Sequence, residues 1–337
     1  AKSISITPPN SFPEKIIFEP GGSKSVSNRA LLLSALSIEE AAITGLSTSE
    51  DTRIMKSLLQ QDEGIYDAGH AGTCFRFMTA YLAMQPGSQV LTGSERMKER
   101  PVGSLVEALK TIGVPIKYLG RNGYPPIEIG AFQPDNYNKN VKIRGDVSSQ
   151  FISALMMIAP ELPEGLQIEI IPPFVSTPYV EMTASMIRDF GVTVEMNSRF
   201  IYVPNGNYSR RNYQVETDWS SASYPIGLLA LIRKGELTIP GLLRDSLQGD
   251  SIFTTIARQW GLKFDFNRSG LLVAVDKDSM KSEMNWDFTN CPDLAPTVIA
   301  VNAALGIRGI YTGMQTLRLK ESDRIHSMRI NLEKVGV

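Results

Sequence analysis

The stretch Gly21-Gly22-Ser23-Lys24-Ser25-Val26-Ser27-Asn28-Arg29 runs straight into Ala30-Leu31-Leu32-Leu33-Ser34-Ala35-Leu36. Glycines allow a tight turn and a close backbone approach, and serine and asparagine are good helix N-caps. The apolar run behind them predicts a buried helix whose first turn offers free N–H groups and the positive end of a dipole. Lys24 and Arg29 add two full positive charges. The segment reads as an anion site at a helix start, although the same residues would also make a capped helix with two surface cations. It is not a Walker loop, because the Gly-x-x-x-x-Gly-Lys-Ser/Thr spacing is absent.

The same order recurs four times. Gly69-His70-Ala71-Gly72-Thr73-Cys74-Phe75-Arg76 precedes the apolar run from Phe77 to Met84, and Gly145-Asp146-Val147-Ser148-Ser149-Gln150 precedes Phe151 to Ala159. Asp218-Trp219-Ser220-Ser221-Ala222-Ser223 precedes Tyr224 to Ile232, and Asp293-Leu294-Ala295-Pro296-Thr297 precedes Val298 to Leu305. Each turn is expected to start a helix apolar enough to be buried.

A second pattern tracks the first. Amphipathic helices ending near Ile112, Phe190, Trp260 and Val335 each run into a glycine, at 113, 191, 261 and 336, and then into an alternating stretch. A glycine at a helix end suits the left-handed conformation there. A helix-and-strand unit that repeats every 70 to 78 residues predicts an α/β architecture of stacked units. The fourth unit reaches Val337 where its strand should begin, so a chain lacking its C-terminal part is expected.

A chain of 337 residues suits two domains. With 42% hydrophobic and 20% charged residues it has an ordinary globular composition, and a net charge of −1 argues against a nucleic-acid partner held by a general positive field. Any anion site must be assembled from local cations. No run approaches the length of a membrane helix, and the N-terminus carries no signal-peptide pattern. Cys74 and Cys291 suggest neither a disulfide framework nor zinc, and His70 and His326 cannot form a metal cluster by themselves. A cytoplasmic protein with no metal and no cofactor is expected.

Taken together, these motifs resemble the 5-enolpyruvylshikimate-3-phosphate synthase family. The resemblance rests on Gly22 to Arg29, Gly72-Thr73 with Arg76, Arg96-Met97-Lys98-Glu99-Arg100-Pro101, Ser148-Ser149-Gln150 and Ser176-Thr177-Pro178-Tyr179. It continues through Asp218 with Ser220 to Tyr224, Pro292-Asp293, and Leu317-Arg318-Leu319-Lys320-Glu321-Ser322-Asp323-Arg324. It implies a two-domain enolpyruvyl transferase fold, each domain of three βαβαββ units, with ligands in the cleft between. It places residues 21–216 in an inserted domain on the shikimate 3-phosphate side, and residues 1–20 with 217–337 in a second, C-terminally incomplete domain. The implied reaction joins the 5-hydroxyl of shikimate 3-phosphate to C2 of phosphoenolpyruvate and expels phosphate, a step of aromatic amino-acid biosynthesis. The two substrates together carry a charge on the order of −5 to −6. Lys24, Arg29, Arg76, Arg100, Lys320 and Arg324 stand in the matching motifs to meet it.

Carried over residue by residue, Lys24, Ser25 and Arg29 are implied to hold the shikimate ring and carboxylate. Ser148, Ser149 and Ser176 would cradle its phosphate, with Gln150 and Tyr179 beside them, and Asp293 and Lys320 would also touch this substrate. Lys24, Gly72, Arg100, Gln150 and Arg324 would hold phosphoenolpyruvate, while Arg76 could instead be a structural ion-pair residue. Asp293, Glu321 and Lys24 are implied to be catalytic: proton removal from a hydroxyl and proton delivery to a methylene call for two carboxyl groups of different poise. Asp293 could also cap the helix that follows it. Glyphosate is expected in the phosphoenolpyruvate site because Gly72 leaves room. Three positions depart from the family: His70 for Asn, Thr316 for Asn and Phe77 for Pro. Two further cations of the family's phosphoenolpyruvate site would lie beyond residue 337. A monomer is expected. The alternatives are the related transferase acting on UDP-N-acetylglucosamine, and a form that binds shikimate 3-phosphate without turnover.

Overall fold

The structure, a computed structural model, describes residues 11–268 and 270–337. Each of the five polar turns starts a helix: Lys24–Ala35, Gly72–Ala83, Ser149–Ile158, Trp219–Ile232 and Ala295–Leu305. Side-chain oxygens of Ser23, Ser148 and Asp218 accept from backbone N–H groups of the first turn in three of them, which relieves donors that would otherwise be unpaired. Burial departs from expectation in Trp219–Ile232. Trp219, Ala222, Ile226 and Leu229 point into the core at helical spacing, but Tyr224 and Leu228 are 68% and 50% exposed. An apolar run without polar positions cannot report which of its faces is covered.

The repeat is visible as topology. Ile65–Asp67 pairs in parallel with Ser88–Thr92, which pairs antiparallel with Ile127–Gly130, which in turn pairs antiparallel with Ile116–Tyr118. Asn140–Arg144, Leu166–Ile171, Phe200–Val203 and Glu195–Met196 form a second sheet with the same order and directions. The third sheet, Lys15–Ile17, Glu236–Ile239, Gly270–Met280 and Trp260–Asn267, repeats it again. Each sheet is a βαβαββ unit. In the third, the chain leaves after the first strand and returns at helix Trp219–Ile232, so the intervening residues are an excursion out of that unit. Two shorter parallel pairs complete the pattern, Ala42–Thr44 with Asn212–Gln214 and Trp286–Asp287 with Tyr311–Thr312. Residues 1–10 of the expected 1–20 segment lie outside the described residues.

The unit-ending glycines all have positive φ, between 76° and 101°. Gly261 is placed differently from the others. Its helix, Phe253–Ala257, ends early, and the glycine lies inside strand Trp260–Asn267 where the register with Gly270–Met280 shifts. A β-bulge there needs the left-handed backbone, so a composition of helix, glycine and strand hid a bulge.

Two separate apolar cores result. One gathers residues from Val26 to Val215, the other from Trp219 to Leu317. Between them two chain segments cross side by side: Ser23 N–H donates to the Glu216 carbonyl (2.7 Å) and Asp218 N–H to the Gly21 carbonyl (3.0 Å). The polar turns that start the five helices gather at this junction, facing a common cleft.

Candidate active site

The cleft between the cores has a volume of about 460 Å³ and is lined by residues of both. On one wall the N-termini of helices Ser149–Ile158 and Thr177–Asp189 converge. Ser148, Ser149 and Ser176 supply three hydroxyls beside them. Ser176 is left-handed (φ 55°), an unusual conformation for a residue with a Cβ, and its hydroxyl makes no cap bond to its own helix. Ser148 accepts from Gln150 N–H and so plays the expected capping role. Gln150 Nε2 donates to Thr73 Oγ1 (2.9 Å), tying this wall to the first turn of helix Gly72–Ala83.

Lys24 and Ser25 stand at the start of helix Lys24–Ala35 and line the same cleft. The Lys24 ammonium lies 3.7 Å from Asp51. Arg29 is more committed to the protein than expected. Its Nε donates to Thr183 Oγ1 (2.7 Å), Nη1 to the Ser25 carbonyl (2.9 Å), and Nη2 to Ser153 Oγ and the Tyr179 carbonyl (both 3.2 Å). That leaves one of its five N–H groups for a ligand. Burial lowers its pKa to about 10. Phe77, fully buried, places its ring 5.3 Å from the Arg29 guanidinium, which explains how the helix accommodates an aromatic residue there.

Two further guanidiniums face the cleft from the first core. Arg76 and Arg100 are each only 6% exposed. Arg76 Nη1 donates to the Gly72 carbonyl (2.7 Å), but Arg76 Nε and Arg100 Nε and Nη1 have no hydrogen-bond partner among the described residues. Burial, reinforced by the neighbouring charge of Arg100 and opposed by Glu321, lowers Arg76 to about 9. Burial likewise lowers Arg100. Buried cations with idle donors are costly, so this corner is arranged for an anion. Gly72 does not leave open room: a Cβ there would run into the Arg100 guanidinium. The space that glycine vacates is taken by the cation.

The second core contributes the facing wall. Asp293 Oδ1 receives Arg324 Nη1 (3.0 Å) and Lys320 Nζ (3.3 Å), and Tyr179 OH donates to Oδ2 (3.3 Å). Burial alone would raise its pKa, but Lys320, Arg324 and Lys24 prevail and hold it at about 2. Asp293 does not cap the helix behind it, which has no side-chain cap; it stands in the 3₁₀ turn Pro292–Leu294. Glu321 pairs with Arg324 (3.0 Å) and lies 3.9 Å from Arg100 Nη1. Burial opposes its ionisation, but a backbone hydrogen bond and those two arginines lower its pKa. The two carboxyls are therefore both depressed here, not poised apart as expected.

The carboxyl with the contrasting poise is one that sequence reasoning missed. Asp250 is buried and raised to about 7, chiefly by desolvation and then by the charge of Asp293. It accepts from Ser220 Oγ (2.5 Å), while its Oδ1 has no partner among the described residues. Nothing in Leu247-Gln248-Gly249-Asp250 marks it locally. Asp250 itself does not line the cleft; Asp51, Thr73, Ser220 and Tyr224 do, without having been singled out as ligands. Asp51 reads as an ordinary acidic first turn of Glu50–Leu59. The departing residue His70 is exposed and holds Ser94 Oγ through Nδ1 (2.9 Å); it is not part of the cleft wall. Thr316 does line it. Cys74 is buried, and desolvation pushes its thiol up, so it is no exposed nucleophile.

The EPSP synthase (3-phosphoshikimate 1-carboxyvinyltransferase) family model matches residues 13–61 and 56–337. A 3-phosphoshikimate 1-carboxyvinyltransferase of Bacteroides fragilis is 36% identical over 315 residues, covering 93% of this chain and 76% of that protein. One of a Sulfurovum species is 37% identical over 346 residues, covering 94% and 79% respectively. An EPSP synthase structure from Acinetobacter baumannii superposes with a TM-score of 0.73 at 21% identity, over 95% of this chain and 78% of that one, a likeness of fold.

Proposed function

The chain belongs to the EPSP synthase (3-phosphoshikimate 1-carboxyvinyltransferase) family, a transferase family of the shikimate pathway, and from that premise we propose how its cleft performs the reaction. Shikimate 3-phosphate lies along the inserted wall. Its phosphate takes the hydroxyls of Ser148, Ser149 and Ser176 and the two helix N-termini behind them, where N–H groups and dipoles favour an anion. Gln150 and Tyr179 border it. Lys24, Ser25 and the remaining N–H of Arg29 hold the ring and its carboxylate, and Asp293 and Lys320 face the reacting hydroxyls.

Phosphoenolpyruvate occupies the corner of Arg100, Lys24 and Arg324, beside Gln150, with Gly72 making room for the Arg100 guanidinium behind it. The idle donors of Arg100 are the observation that carries this reading. A planar guanidinium already buried and lacking acceptors gains a carboxylate or phosphate in bidentate fashion at little further desolvation. Addition forms the bond from the 5-oxygen to C2 and turns the methylene into a methyl group. Asp293, ionised and next to Lys320, takes the hydroxyl proton. Glu321 exchanges the proton at carbon. Substrate anions on Arg100 and Arg324 draw those cations away from Glu321, which raises its pKa and lets it carry that proton. Elimination then returns a methyl proton and breaks the bond from C2 to the phosphate oxygen. Lys24 stabilises the developing negative charge.

The two cores and the crossing segments support domain boundaries at 21–216 and at 1–20 with 217–337. No helix among the described residues is long and apolar enough to cross a membrane, and we place the protein in the cytoplasm as a monomer. The test is phosphate release on mixing the protein with both substrates. Release that requires shikimate 3-phosphate is expected of the protein in full-length form; release with UDP-N-acetylglucosamine in its place, and none with shikimate 3-phosphate, would overturn the assignment.

A further inference from the structure

We propose that Arg96 is a positioning residue for the transfer reaction: a guanidinium fork that fastens the backbone carrying Lys320 and Glu321 to the opposite wall of the cleft. Arg96 lies in the short helix Glu95–Lys98, whose Met97 is buried in the first core. Its Nη2 donates to the Lys320 carbonyl and its Nε to the Glu321 carbonyl, both at 3.2 Å. Those carbonyls follow the turn Gln315–Leu319, whose Leu317 is buried in the second core. The two bonds therefore bridge the two cores. Nε and Nη2 form one edge of a rigid planar group, so a single side chain can bind two successive carbonyls. Glu99 Oε2 receives the remaining nitrogen, Nη1, at 2.7 Å and fixes the direction of the fork.

The consequence lies in what the clamped segment carries. With residues 320–321 held, the Lys320 ammonium sits 3.3 Å from Asp293 and the Glu321 carboxylate 3.9 Å from Arg100. Arg100 belongs to the same segment as Arg96, four residues on and just past the end of that helix. One stretch of the inserted half thus grips the backbone of the opposing loop and also supplies the cation that faces its carboxylate. Parting of the walls breaks both Arg96 bonds at once, so they favour the closed arrangement in which the acid–base groups meet. Arg96 itself does not line the cleft. It acts through the residues it places.

The inference rests on the enzymatic reading above, and the unmutated protein separates the two, since its own phosphate release tests that reading alone. Arg96→Ala is expected to lower kcat/KM for phosphoenolpyruvate by about 10- to 100-fold, the effect of losing two hydrogen bonds. The loss in kcat/KM for phosphoenolpyruvate should exceed any loss of affinity for shikimate 3-phosphate alone, which meets the clamped segment only through Lys320. Arg96→Lys keeps the charge without the fork and should resemble the alanine variant. Hydrogen exchange at the amides of 318–324, which needs no turnover, should accelerate in both variants. It should not accelerate in Glu107→Gln, which removes a surface pair elsewhere. Full activity in either Arg96 variant, unchanged exchange, or an equal loss of affinity for shikimate 3-phosphate would overturn the assignment.

Discussion

Replacing Asp250 with Asn should make the protein more resistant to unfolding at pH 8 and much less so at pH 5. Asp250 is 3% exposed, and its carboxyl is raised to about 7 by desolvation, with Asp293 and Asp218 adding repulsion against the opposing pull of Ser220 and Lys320. An unfolded aspartate titrates near pH 3.9. Between these values the folded state keeps a proton that the unfolded state releases, so stability drains away as pH rises from about 4 to 7. A displacement of roughly three pKa units corresponds to about 4 kcal/mol at the upper end of that window. Asparagine does not titrate and escapes this penalty. Its amide retains an acceptor for Ser220 but adds N–H groups where Oδ1 now lacks a partner, a cost of about 1–3 kcal/mol. The net gain at pH 8 is then about 1–3 kcal/mol. The sharper readout is that the stability difference between variant and parent changes by about 3 kcal/mol from pH 5 to pH 8. Urea unfolding followed by tryptophan fluorescence measures it, because Trp219, Trp260 and Trp286 all belong to or pack on the second core. An offset between the two proteins that is the same at both pH values would refute the claim that Asp250 is held protonated by its surroundings.

Other outcomes follow from the same geometry. Ser149→Ala should weaken shikimate 3-phosphate by roughly 1–3 kcal/mol, since a charged acceptor loses a donor; an unchanged dissociation constant by calorimetry would remove Ser149 from the phosphate cradle. Asp293→Asn and Glu321→Gln should each depress kcat by about 10²-fold or more with KM nearly intact, and near-parental turnover in either would end its catalytic assignment. Gly72→Ala puts a methyl group where the Arg100 guanidinium lies. Displacing that cation should cost about tenfold or more in KM for phosphoenolpyruvate and in inhibition by glyphosate, as expected for one charge-assisted bond. Steady-state kinetics showing a parental KM would place Arg100 outside that site.

The primary structure alone was enough for the local half of this protein. Five polar turns before apolar runs announced five helices, because capping and apolar periodicity depend on neighbours within a few residues. The unit-ending glycines announced a repeated α/β unit for the same reason, and the motifs of Lys24, Ser148-Ser149-Gln150, Ser176 and Lys320-Glu321 carried the family resemblance. Tertiary structure decided everything that depends on which groups meet. It turned most of the Arg29 guanidinium inward onto Thr183, Ser153 and Tyr179, filled the space beside Gly72 with Arg100, and left Asp293 and Glu321 both depressed, with Arg324 the cation common to both. It also buried Asp250 beside Asp293 and set the Arg96 fork against two carbonyls more than two hundred residues away in sequence. Burial, charge coupling and cross-cleft hydrogen bonds are properties of distance in space, and the order of residues along a chain does not encode distance between segments until the cores have packed.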